Sequence, residues 1–494
     1  MTLAKVPAIM PSGRLEIEHL VALVRARSSE SAGAGPLYRS VALALARAID
    51  DGRISHGTRL PAERRLADAL ACSRATIVAV YRLLEAEGRV VSRRGSGTYV
   101  VRDGAGRARR IELPVPGPGR AASGETLDLS NAGALELPAE FGATGLAIDL
   151  TRAASPRNGG GYQPGGLEAL REALAARYRR AGLPTKAEQI VVTSGAQQSI
   201  VLAATLVEAG DVVMLESPSY RGAIDAFRER RVRLAALEDE TLASRRSLAA
   251  ACRNFAPRLL YVTPSFRNPT GTSLDEVARS GLAALADAGQ TLILEDDALA
   301  ELVFEGTPQA SIALRASGDG VLSAGSFNKL YWPGLRVGWL RAGRRVAAIL
   351  EQRKAVADLG TSQLSQLVAL ALLERHDEWS RLRSAQLRGR RDALCAALAA
   401  ALPSWSFVPP QGGAYLWVRL PHGDARSYVP FAARVGVRLV AGATASLDER
   451  HASYLRLPLA IADAALARLI PALAAAWQTY EAAAPHLERP ATIV

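Results

Sequence analysis

Cysteine and long apolar runs are both scarce in this chain of 494 residues. Its three cysteines, Cys72, Cys252 and Cys395, are too far apart to form a CxxC pair, so neither a thiolate zinc site nor a disulfide framework is predicted. No uncharged stretch approaches the roughly 18 residues of a membrane-spanning helix, and the first residues mix charged with apolar side chains, unlike a signal peptide. We therefore expect a soluble protein of the reducing cytoplasm that has no membrane partner.

Lysine is also rare, and arginine carries most of the positive charge. The only lysines are Lys5, Lys186, Lys329 and Lys354, yet the formal net charge is +12 at pH 7. Residues 36–110 contain 15 arginines, no lysine and seven acidic residues, a local excess of eight positive charges. Such a localised excess is typical of nucleic-acid binding, because phosphate contacts dominate affinity. A merely solvated arginine-rich surface is the alternative, but it would not explain the ordered elements of the same segment.

The length points to several domains, because a single hydrophobic core stops growing near roughly 250 to 300 residues. Composition and periodicity divide the chain into five parts. They are an N-terminal leader (1–35), a basic DNA-binding domain (36–101), a basic linker rich in proline and glycine (102–126), a large domain (127–480) and a C-terminal tail (481–494).

The DNA-binding domain shows the pattern of three helices followed by a hairpin. Apolar residues at helical spacing predict a first helix from Leu37 to about Asp51. Pro61 indicates the start of a second helix, and Ser73 can cap a third. Two helices joined by so short a turn form a helix-turn-helix, and the two short apolar runs that end at Val100 predict a β-hairpin wing.

These motifs resemble the GntR-type winged-helix family. Its pattern LPxERxLA, SRxTV and GxGT is met by residues 60–67, by Ser-Arg-Ala-Thr-Ile at 73–77 and by Gly-Ser-Gly-Thr at 95–98. The resemblance implies a double-stranded DNA operator as partner, read from the start of the third helix, where side chains reach base edges. It implies base or backbone contacts by Arg64, Arg74 and Thr76, close approach of the wing at Gly97, and phosphate contacts by Arg65, Arg93 and Arg94.

Beyond the linker, helical segments alternate with short strand candidates. This alternation favours an α/β fold with a mainly parallel central sheet, whose strands are apolar on both faces. A helix is predicted over Leu167–Arg180, and strands over Ile190–Val192, Val212–Leu215, Leu259–Val262 and Thr291–Leu294.

One short segment of the large domain places an amine, a hydroxyl and a cation together, in Ser326, Lys329 and Arg336. An aldehyde cofactor that bears a phosphate needs all three, because the amine forms an imine and the other two bind the dianion. Asp296 follows a strand candidate, at the edge where such sheets bind ligands, and can keep a pyridine nitrogen protonated. Its neighbours Glu295 and Asp297 have a plainer interpretation as solvated side chains.

Other segments offer further contacts to such a cofactor. Asn268, in Arg-Asn-Pro-Thr-Gly, can donate to a phenolic oxygen, and Tyr220 offers a flat face to a ring. Gly195, Ala196 and Gln197 open a helix whose free N–H groups suit a phosphate. Alone, each motif has a plainer interpretation as a turn, a surface loop or a helix cap, but their combination is specific.

Their order and spacing from about residue 127 to 480 resemble the fold-type I aminotransferases of the kynurenine and branched-chain group. The resemblance implies a pyridoxal 5′-phosphate (PLP) domain with a smaller C-terminal α/β subdomain. In it Lys329 would form the Schiff base, Asp296 would pair with the pyridinium, Asn268 would contact the 3′-oxygen, and Ser326 and Arg336 would bind the phosphate.

The same resemblance implies two further contacts and shows one departure. Arg456 would clamp the α-carboxylate of a substrate or effector, and Tyr162 would reach the phosphate of the partner subunit. The family has a tyrosine two or three residues after its aspartate, where this chain has Ala298 and Leu299. A lost hydrogen bond of this kind costs about 1.5 to 3 kcal/mol at most, so we expect PLP binding without efficient transamination.

A winged helix joined by a basic linker to such a domain is the arrangement of the MocR subgroup of GntR regulators, which the chain resembles over nearly its whole length. The resemblance implies a head-to-tail homodimer that regulates transcription by sensing PLP or a small amino compound. The alternative is an active aminotransferase that carries a DNA-binding domain, since both functions need nearly the same residues. A DNA-binding protein whose large domain has lost PLP is disfavoured, because Lys329, Asp296, Asn268 and Arg336 all remain.

Overall fold

A computed structural model describes residues 20–21, 37–50, 54, 58–86, 89–93, 97–100, 126–131, 148, 161–448 and 450–487. Nearly all of the predicted leader and linker, Arg94 of the wing, the Arg93 side chain and the last seven residues of the tail lie outside the described residues. The chain forms two compact units, residues 1–117 and 118–494, and the division between them falls within the segment predicted to be a linker.

Between residues 37 and 100, the described part of the N-terminal unit has three helices followed by a two-stranded hairpin. The apolar positions that predicted its helices form its core, and Leu45, Leu66, Ile77 and Leu84 are fully buried there. In the antiparallel hairpin Val90 lies opposite Val100. The elements are α1 (Leu37–Asp50), α2 (Glu63–Leu70), α3 (Arg74–Ala86), β1 (Val90–Arg93) and β2 (Gly97–Val100).

The turn between α2 and α3 spans residues 71–73. Ala71 ends α2 in the left-handed conformation, with φ of 53°. The hydroxyl of Ser73 accepts a hydrogen bond of 3.1 Å from the N–H of Thr76, which confirms the cap predicted for the third helix. This short turn fixes α3 against α2, so the first residues of α3 lie beside α2.

The large unit is built on a seven-stranded sheet in the order β4-β10-β9-β8-β7-β5-β6. The mainly parallel sheet predicted from the sequence is confirmed: only β10 runs antiparallel, and it pairs with β4 on one side and β9 on the other. The strands are β4 (Ile190–Thr193), β5 (Val212–Glu216), β6 (Arg233–Leu237), β7 (Leu259–Val262), β8 (Leu292–Asp296), β9 (Val321–Ser326) and β10 (Gly338–Arg341).

Alternate residues of these strands point into two separate cores, one on each face of the sheet. Val213 and Leu215 of β5 pack in one core, and Val212 and Met214 pack in the other. Burial on both faces explains why the strands are continuous apolar runs. The helices up to this point are α4 (Glu168–Arg180), α5 (Ala196–Ala204), α6 (Arg221–Glu229), α7 (Asp239–Leu242), α8 (Arg245–Phe255), α9 (Glu276–Asp287), α10 (Arg344–Asp358), α11 (Gln363–Leu373) and α12 (His376–Ala401).

The C-terminal part of the large unit is a smaller α/β subdomain. Its antiparallel sheet has the order β11-β12-β15-β14, and β13 pairs in parallel with β3, from the start of the unit. Trp405, Tyr428 and Trp477 form an edge-to-face aromatic cluster in its core. Its elements are β11 (Ser406–Phe407), β12 (Tyr415–Arg419), α13 (Ala425–Arg434), β13 (Val437–Arg438), β14 (Val440–Ala441), β15 (Tyr454–Pro458) and α14 (Asp463–Leu487), and β3 is Leu127–Asp128.

Among the residues that the structure describes, no helix is long and apolar enough to cross a membrane. The same residues contain no group of three or more side chains that could hold a metal ion.

Candidate functional site

Asp296 is the last residue of β8, at the carboxyl edge of the parallel strands. Its side chain is buried, and its two oxygens accept hydrogen bonds from the Tyr261 hydroxyl (2.7 Å) and the Ala298 N–H (3.0 Å). Burial raises the pKa of Asp296, and these two hydrogen bonds oppose the rise. A carboxylate so held can face a protonated ring nitrogen, and the positive charge of that ring would compensate its burial.

Lys329 lies in the turn that follows β9, the strand next to β8. Its side chain is half-buried, and no hydrogen bond or ion pair joins it to another described residue. The other described lysines differ: Lys186 is exposed, and the fully buried Lys354 contacts both carboxylate oxygens of Asp358 at 2.6 Å. Among the described lysines, Lys329 is therefore the one that is half-buried and has no hydrogen-bond or ion-pair partner in the described part of the chain.

The predicted phosphate-binding residues converge at the N-terminus of α5. Gly195 precedes α5 with φ of 124°. A methyl group at this position would collide with the side-chain nitrogen Nδ2 of Asn328 and would lie 3.7 Å from a guanidinium nitrogen of Arg336. The buried Ser326 accepts a hydrogen bond of 3.2 Å from the Asn328 N–H. Helix N–H groups, a hydroxyl and a guanidinium therefore surround one small space, the arrangement that a phosphate dianion requires.

Glycines of three segments shape this space. A methyl group on Gly338 of β10 would lie 2.6 Å from the Cα of Gly195 and 2.7 Å from the carbonyl oxygen of Gly325. On Gly325 it would collide with the ring of Trp339. We call Gly195, Gly325 and Gly338 the glycine triplet.

Buried polar atoms without a hydrogen-bond partner gather near the same edge. Among the described residues they include the Gln197 and Asn328 carbonyl oxygens, the Ser217 and Ser219 hydroxyls, and Nε of Arg456. Buried polar groups are rarely unpaired in native proteins, so such a group of them is typical of a binding site. Together with Asp296 and Lys329, these atoms fit a cofactor that has an aldehyde, a ring nitrogen and a phosphate.

Tyr220, which is predicted to stack on the cofactor ring, is influenced by charged residues of the predicted site. Burial raises the pKa of its phenol, the charge of Asp296 adds to the rise, and Arg456 and Arg336 oppose it. The Tyr220 phenol therefore senses the charges of three predicted site residues, namely Asp296, Arg336 and Arg456. Gln197 packs beside it, where its side-chain amide donates to the Gly222 carbonyl at 3.0 Å.

Asn268 comes directly after Arg267, which belongs to a buried network of charged side chains. The fully buried Arg267 contacts the carboxylates of Glu216 at 3.0 Å and Asp239 at 2.5 Å. Burial raises the pKa of Glu216 to about 7, and the charge of Arg267 opposes the rise. The Thr263 N–H holds the same carboxylate at 2.9 Å. This network anchors Arg267 and so orients the segment that carries Asn268, whose own side chain has no hydrogen bond to a described residue.

Arg456 of β15 extends over the ring of Tyr415, with 4.6 Å between the guanidinium carbon and the ring centroid. One of its terminal nitrogens donates to the Ser130 carbonyl at 2.6 Å. Its Nε is buried and unpaired. The guanidinium is thus held in place with one donor free, as a carboxylate clamp requires.

Tyr162 is placed differently from the other predicted residues. It is 71% exposed, and no hydrogen bond joins it to the cluster among the described residues. The aromatic side chain is available at the surface, so within one chain it is not part of the cofactor site.

The neighbours of Asp296 are not the solvated bystanders that their sequence suggested. Glu295 is fully buried and accepts hydrogen bonds from the Ser323 hydroxyl (2.6 Å) and the Ile312 N–H (2.7 Å). Burial and the charge of Glu295 raise the pKa of Asp297 well above its ordinary value. That interpretation was wrong because the apolar run of β8 continues into the interior, so Glu295 and Asp296 are buried and Asp297 is half-buried.

In the N-terminal unit, Arg74 begins α3 and is held by a partner on α2. Its Nε and Nη2 donate to one carboxylate oxygen of Glu63 at 3.1 and 2.9 Å, and 59% of its side chain is exposed. Arg64 and Arg65 are exposed on α2, and the Thr76 hydroxyl lies 2.8 Å from that of Ser73. The predicted DNA-contacting groups of α2 and α3 are therefore solvent-accessible, except for the half-buried Thr76.

Two arginines that the sequence analysis missed lie near these groups. Arg82 shares a concave surface of α3 with Arg74. Arg59 forms a β-bridge with Tyr99 of the wing, and its guanidinium lies over Gly97, where φ is 111°. The helical repeat could have identified Arg82, which is eight residues after Arg74. No local pattern places Arg59 on the wing, since that contact depends on the hairpin.

We expect Gly97→Ala to destabilise the N-terminal unit by about 1 to 2 kcal/mol, the cost of a left-handed conformation in a residue other than glycine. The added methyl group would lie 2.7 Å from Nε of Arg59 and displace that side chain, which should also weaken DNA binding. Calorimetric unfolding and binding to a DNA site selected from a random pool measure the two effects. Arg59→Ala, which keeps Gly97, is the control for loss of the arginine alone, and unchanged unfolding of Gly97→Ala would contradict the prediction.

Three residues complete the cofactor site but were not predicted: Tyr261, Tyr415 and Ser130. Tyr261 is 35 positions from the Asp296 it binds, and Ser130 is 326 positions from Arg456. The available signal for Tyr261 was its place in the strand candidate Leu259–Val262, which precedes that of Asp296.

Comparison with known families assigns both units. Residues 137–473 match the family of class I and II aminotransferases, and residues 37–100 match the gntR family of bacterial regulatory proteins. The chain is similar to LysN, an α-aminoadipate aminotransferase of Thermus thermophilus whose crystal structure contains N-(5′-phosphopyridoxyl)-L-leucine. The identity is 29%, the TM-score is 0.63, and the match covers 72% of this chain and 93% of LysN. These findings confirm the predicted fold and PLP as the cofactor.

Some of the similar proteins have names that describe regulators. An uncharacterised HTH-type transcriptional regulator of Bacillus subtilis, YisV, is 31% identical over 413 residues, which cover 78% of this chain and 84% of YisV. The probable rhizopine catabolism regulatory protein MocR of Rhizobium meliloti is 31% identical over 334 residues, which cover 62% of this chain and 65% of MocR. The chain therefore belongs to the MocR subgroup of GntR-type transcription regulators, which join a DNA-binding winged helix to an aminotransferase-like PLP domain.

Proposed function

We propose that this regulator senses PLP, a small amino compound that reacts with PLP, or both, and converts that binding into a change of affinity for its DNA operator. It would act in the cytoplasm as a head-to-tail homodimer. The sensed molecule can shift the equilibrium between two arrangements of the dimer only if it binds them with different affinities. The ratio of these two affinities limits how far the equilibrium shifts.

The observation that carries the proposal is the guanidinium of Arg456. It is held by the Ser130 carbonyl and the Tyr415 ring, and its buried Nε has no partner. Its charge also lowers the pKa of Tyr220, the residue predicted to stack on the cofactor ring. A ligand with both an amine and a carboxylate would therefore meet Lys329 and Arg456 together.

Bound PLP supplies an aldehyde that condenses with amino groups, and the residues of this chain would hold it for that purpose. Asp296 would keep the ring nitrogen protonated, and Asn268 would donate to the 3′-oxygen. Ser326, Arg336 and the N-terminus of α5 would bind the phosphate, and Tyr220 would stack on the ring. Arg456 would select a carboxylate-bearing effector, and Lys329 would be the protein amine that holds the aldehyde when no effector is bound.

A patch of exposed apolar residues supports the dimer. Tyr162 (71% exposed), Val356 (91%) and Leu359 (54%) lie beside a close contact, where a methyl group on Gly360 would be 2.6 Å from the Gln163 carbonyl. Exposed apolar surface of this kind marks an association site. In a head-to-tail pair this surface would bring Tyr162 to the phosphate of the partner subunit.

An active aminotransferase with an attached winged helix is the second candidate. The presence of Lys329, Asp296 and Arg336, together with the 29% identity to LysN, favours it. The missing phenol at Ala298 and Leu299 argues against efficient turnover, because the Leu299 side chain is buried in the core and the Ala298 N–H is committed to Asp296. The regulator therefore remains the better-supported function of the PLP domain.

One titration separates the two candidates. Amino acids are added to PLP-saturated protein, while the visible spectrum, keto-acid formation and affinity for a DNA site selected with the wild-type protein are followed. For a sensor we expect the visible spectrum to shift and then remain constant without formation of keto acid, and the affinity for DNA to change. Steady formation of keto acid without any change in DNA affinity would contradict the proposal and assign an enzyme.

A further inference from the structure

A concave surface of about 760 Å³ lies on the large unit, and none of its lining residues belongs to the predicted cofactor site. It is formed by the last turn of α4, the segment after β8 and the first turns of α12. Four arginines line it: Arg177, Arg180, Arg381 and Arg388. We call this surface the arginine groove.

The acidic residues of the groove do not neutralise its arginines. Among the described lining residues only Glu301 and Asp377 carry carboxylates, which leaves an excess of two positive charges before His376 is counted. Glu301 pairs with Arg177 and lies 3.3 Å from Nε2 of His376. Burial opposes the ionisation of Glu301, but the charge of Arg177 and the hydrogen bond from His376 outweigh it and lower the pKa of this carboxyl group, so Glu301 is ionised and its charge is compensated by Arg177.

The remaining arginines of the groove are uncommitted. Arg180, Arg381 and Arg388 are exposed, and within the described part of the chain none of them forms an ion pair. A guanidinium can donate two parallel hydrogen bonds to one oxyanion, and several of them around a concavity bind a multivalent anion better than a single charge can. The groove thus has the composition of a site for a small, multiply charged oxyanion.

The floor of the groove is connected to the segment that carries Lys329. Nδ1 of His376 lies 2.9 Å from the hydroxyl of Tyr331, which follows Lys329 by two residues. Arg383, one helical turn after the groove residue Ser380, donates to the carbonyls of Leu330 and Tyr331 at 2.9 and 2.7 Å. Two side chains of α12 therefore hold the segment that follows Lys329: Arg383 contacts its backbone, and His376 contacts the Tyr331 hydroxyl.

We propose that the arginine groove is a second ligand site, which takes a small multivalent oxyanion such as a phosphate ester or a polycarboxylate, and that its occupancy alters the surroundings of Lys329. An anion drawn to Arg177 competes with Glu301 for that guanidinium. Glu301 also contacts His376, so the competition reaches the His376–Tyr331 hydrogen bond. The binding step is independent of the proposed sensing function, and the coupling step requires only that PLP is held at Lys329.

Binding is tested by calorimetric titration of pyrophosphate into full-length protein saturated with PLP, in metal-free buffer. PLP fills the phosphate-binding space at Gly195, so the heat reports a different site. We expect saturable binding that is weakened about tenfold or more, equivalent to about 1.4 kcal/mol, in the double variant Arg381→Ala/Arg388→Ala. The matched control is Arg246→Ala/Arg345→Ala, which removes two exposed arginines from α8 and α10 and should leave the affinity unchanged.

Coupling is tested with Tyr331→Phe, which keeps the buried ring and removes the hydroxyl that meets His376. In the wild-type protein pyrophosphate should shift the visible band of bound PLP, and Tyr331→Phe should bind pyrophosphate equally well without that shift. Absence of binding, or equal affinity in the groove variant, would overturn the proposed site. A spectral shift that persists in Tyr331→Phe would overturn the proposed coupling through the His376–Tyr331 hydrogen bond. Displacement of pyrophosphate by nonspecific duplex DNA would assign the groove to DNA phosphates instead.

Discussion

Replacement of Lys329 by alanine is expected to abolish the visible absorption band that PLP gives when it is bound to this protein. The band requires an imine with a protein amine, and no other described lysine can replace this one. Lys354 is buried in an ion pair with Asp358, and Lys186 is exposed on the surface. The measurement is a difference spectrum of protein that has been incubated with PLP and dialysed.

Two controls make this result specific to the site. Lys186→Ala removes an exposed lysine of the same unit and should leave the band unchanged. Lys329→Ala should still bind DNA when PLP is absent, because the winged helix has its own hydrophobic core. A band of normal intensity in dialysed Lys329→Ala would show that the amine has been assigned to the wrong residue.

Arg74→Ala is expected to weaken binding to a selected DNA site by about 1 to 3 kcal/mol, the contribution of a side chain that reads a base edge. The loss should be smaller on nonspecific DNA, since a base contact carries sequence information and a phosphate contact does not. Binding isotherms for both DNAs at several salt concentrations measure the difference. Equal affinities of wild type and variant for the selected site would exclude Arg74 from recognition.

Arg65→Ala is the matched control for this experiment. Arg65 is exposed on α2, and we expect it to contact phosphate, so its loss should weaken binding to all sequences alike and reduce the salt dependence by about one ion. Glu63→Gln should cause part of the loss of Arg74→Ala, because Glu63 holds the guanidinium at 2.9 Å. An effect of Glu63→Gln in the Arg74→Ala background would show that Glu63 acts by another route.

The sequence was most informative where one residue type is required by the chemistry or where a pattern repeats over a whole element. Strands buried on both faces are recognisable as apolar runs, and β5 and β7 were found in this way. β6 begins with the exposed Arg233, and β10 begins with Gly338 and ends with Arg341, so neither has a continuous apolar run. Their places in the sheet depend on pairing with distant strands.

The same distinction applies to the site. Lys329, Asp296 and Arg336 have chemical roles that limit the residue type, and each lies in a recognisable motif. Tyr261 contacts Asp296 across 35 positions of the chain, and Ser130 contacts Arg456 across 326 positions, so only the fold shows their role. Glu295 and Asp297 were misjudged for a related reason, because the identity of a carboxyl group does not reveal whether the end of its strand is enclosed.

The glycine triplet limits how this regulator can diverge. A single added carbon would collide with the Trp339 ring at Gly325, with backbone at Gly338, and with the Asn328 side-chain amide at Gly195, where φ is 124°, although none of the three positions offers a side chain to the cofactor. Random mutagenesis that scores loss of PLP response should therefore yield alanine substitutions at these positions as readily as substitutions at Lys329. A search for altered effector preference would instead be directed to the surroundings of Arg456, where the backbone imposes no comparable restriction.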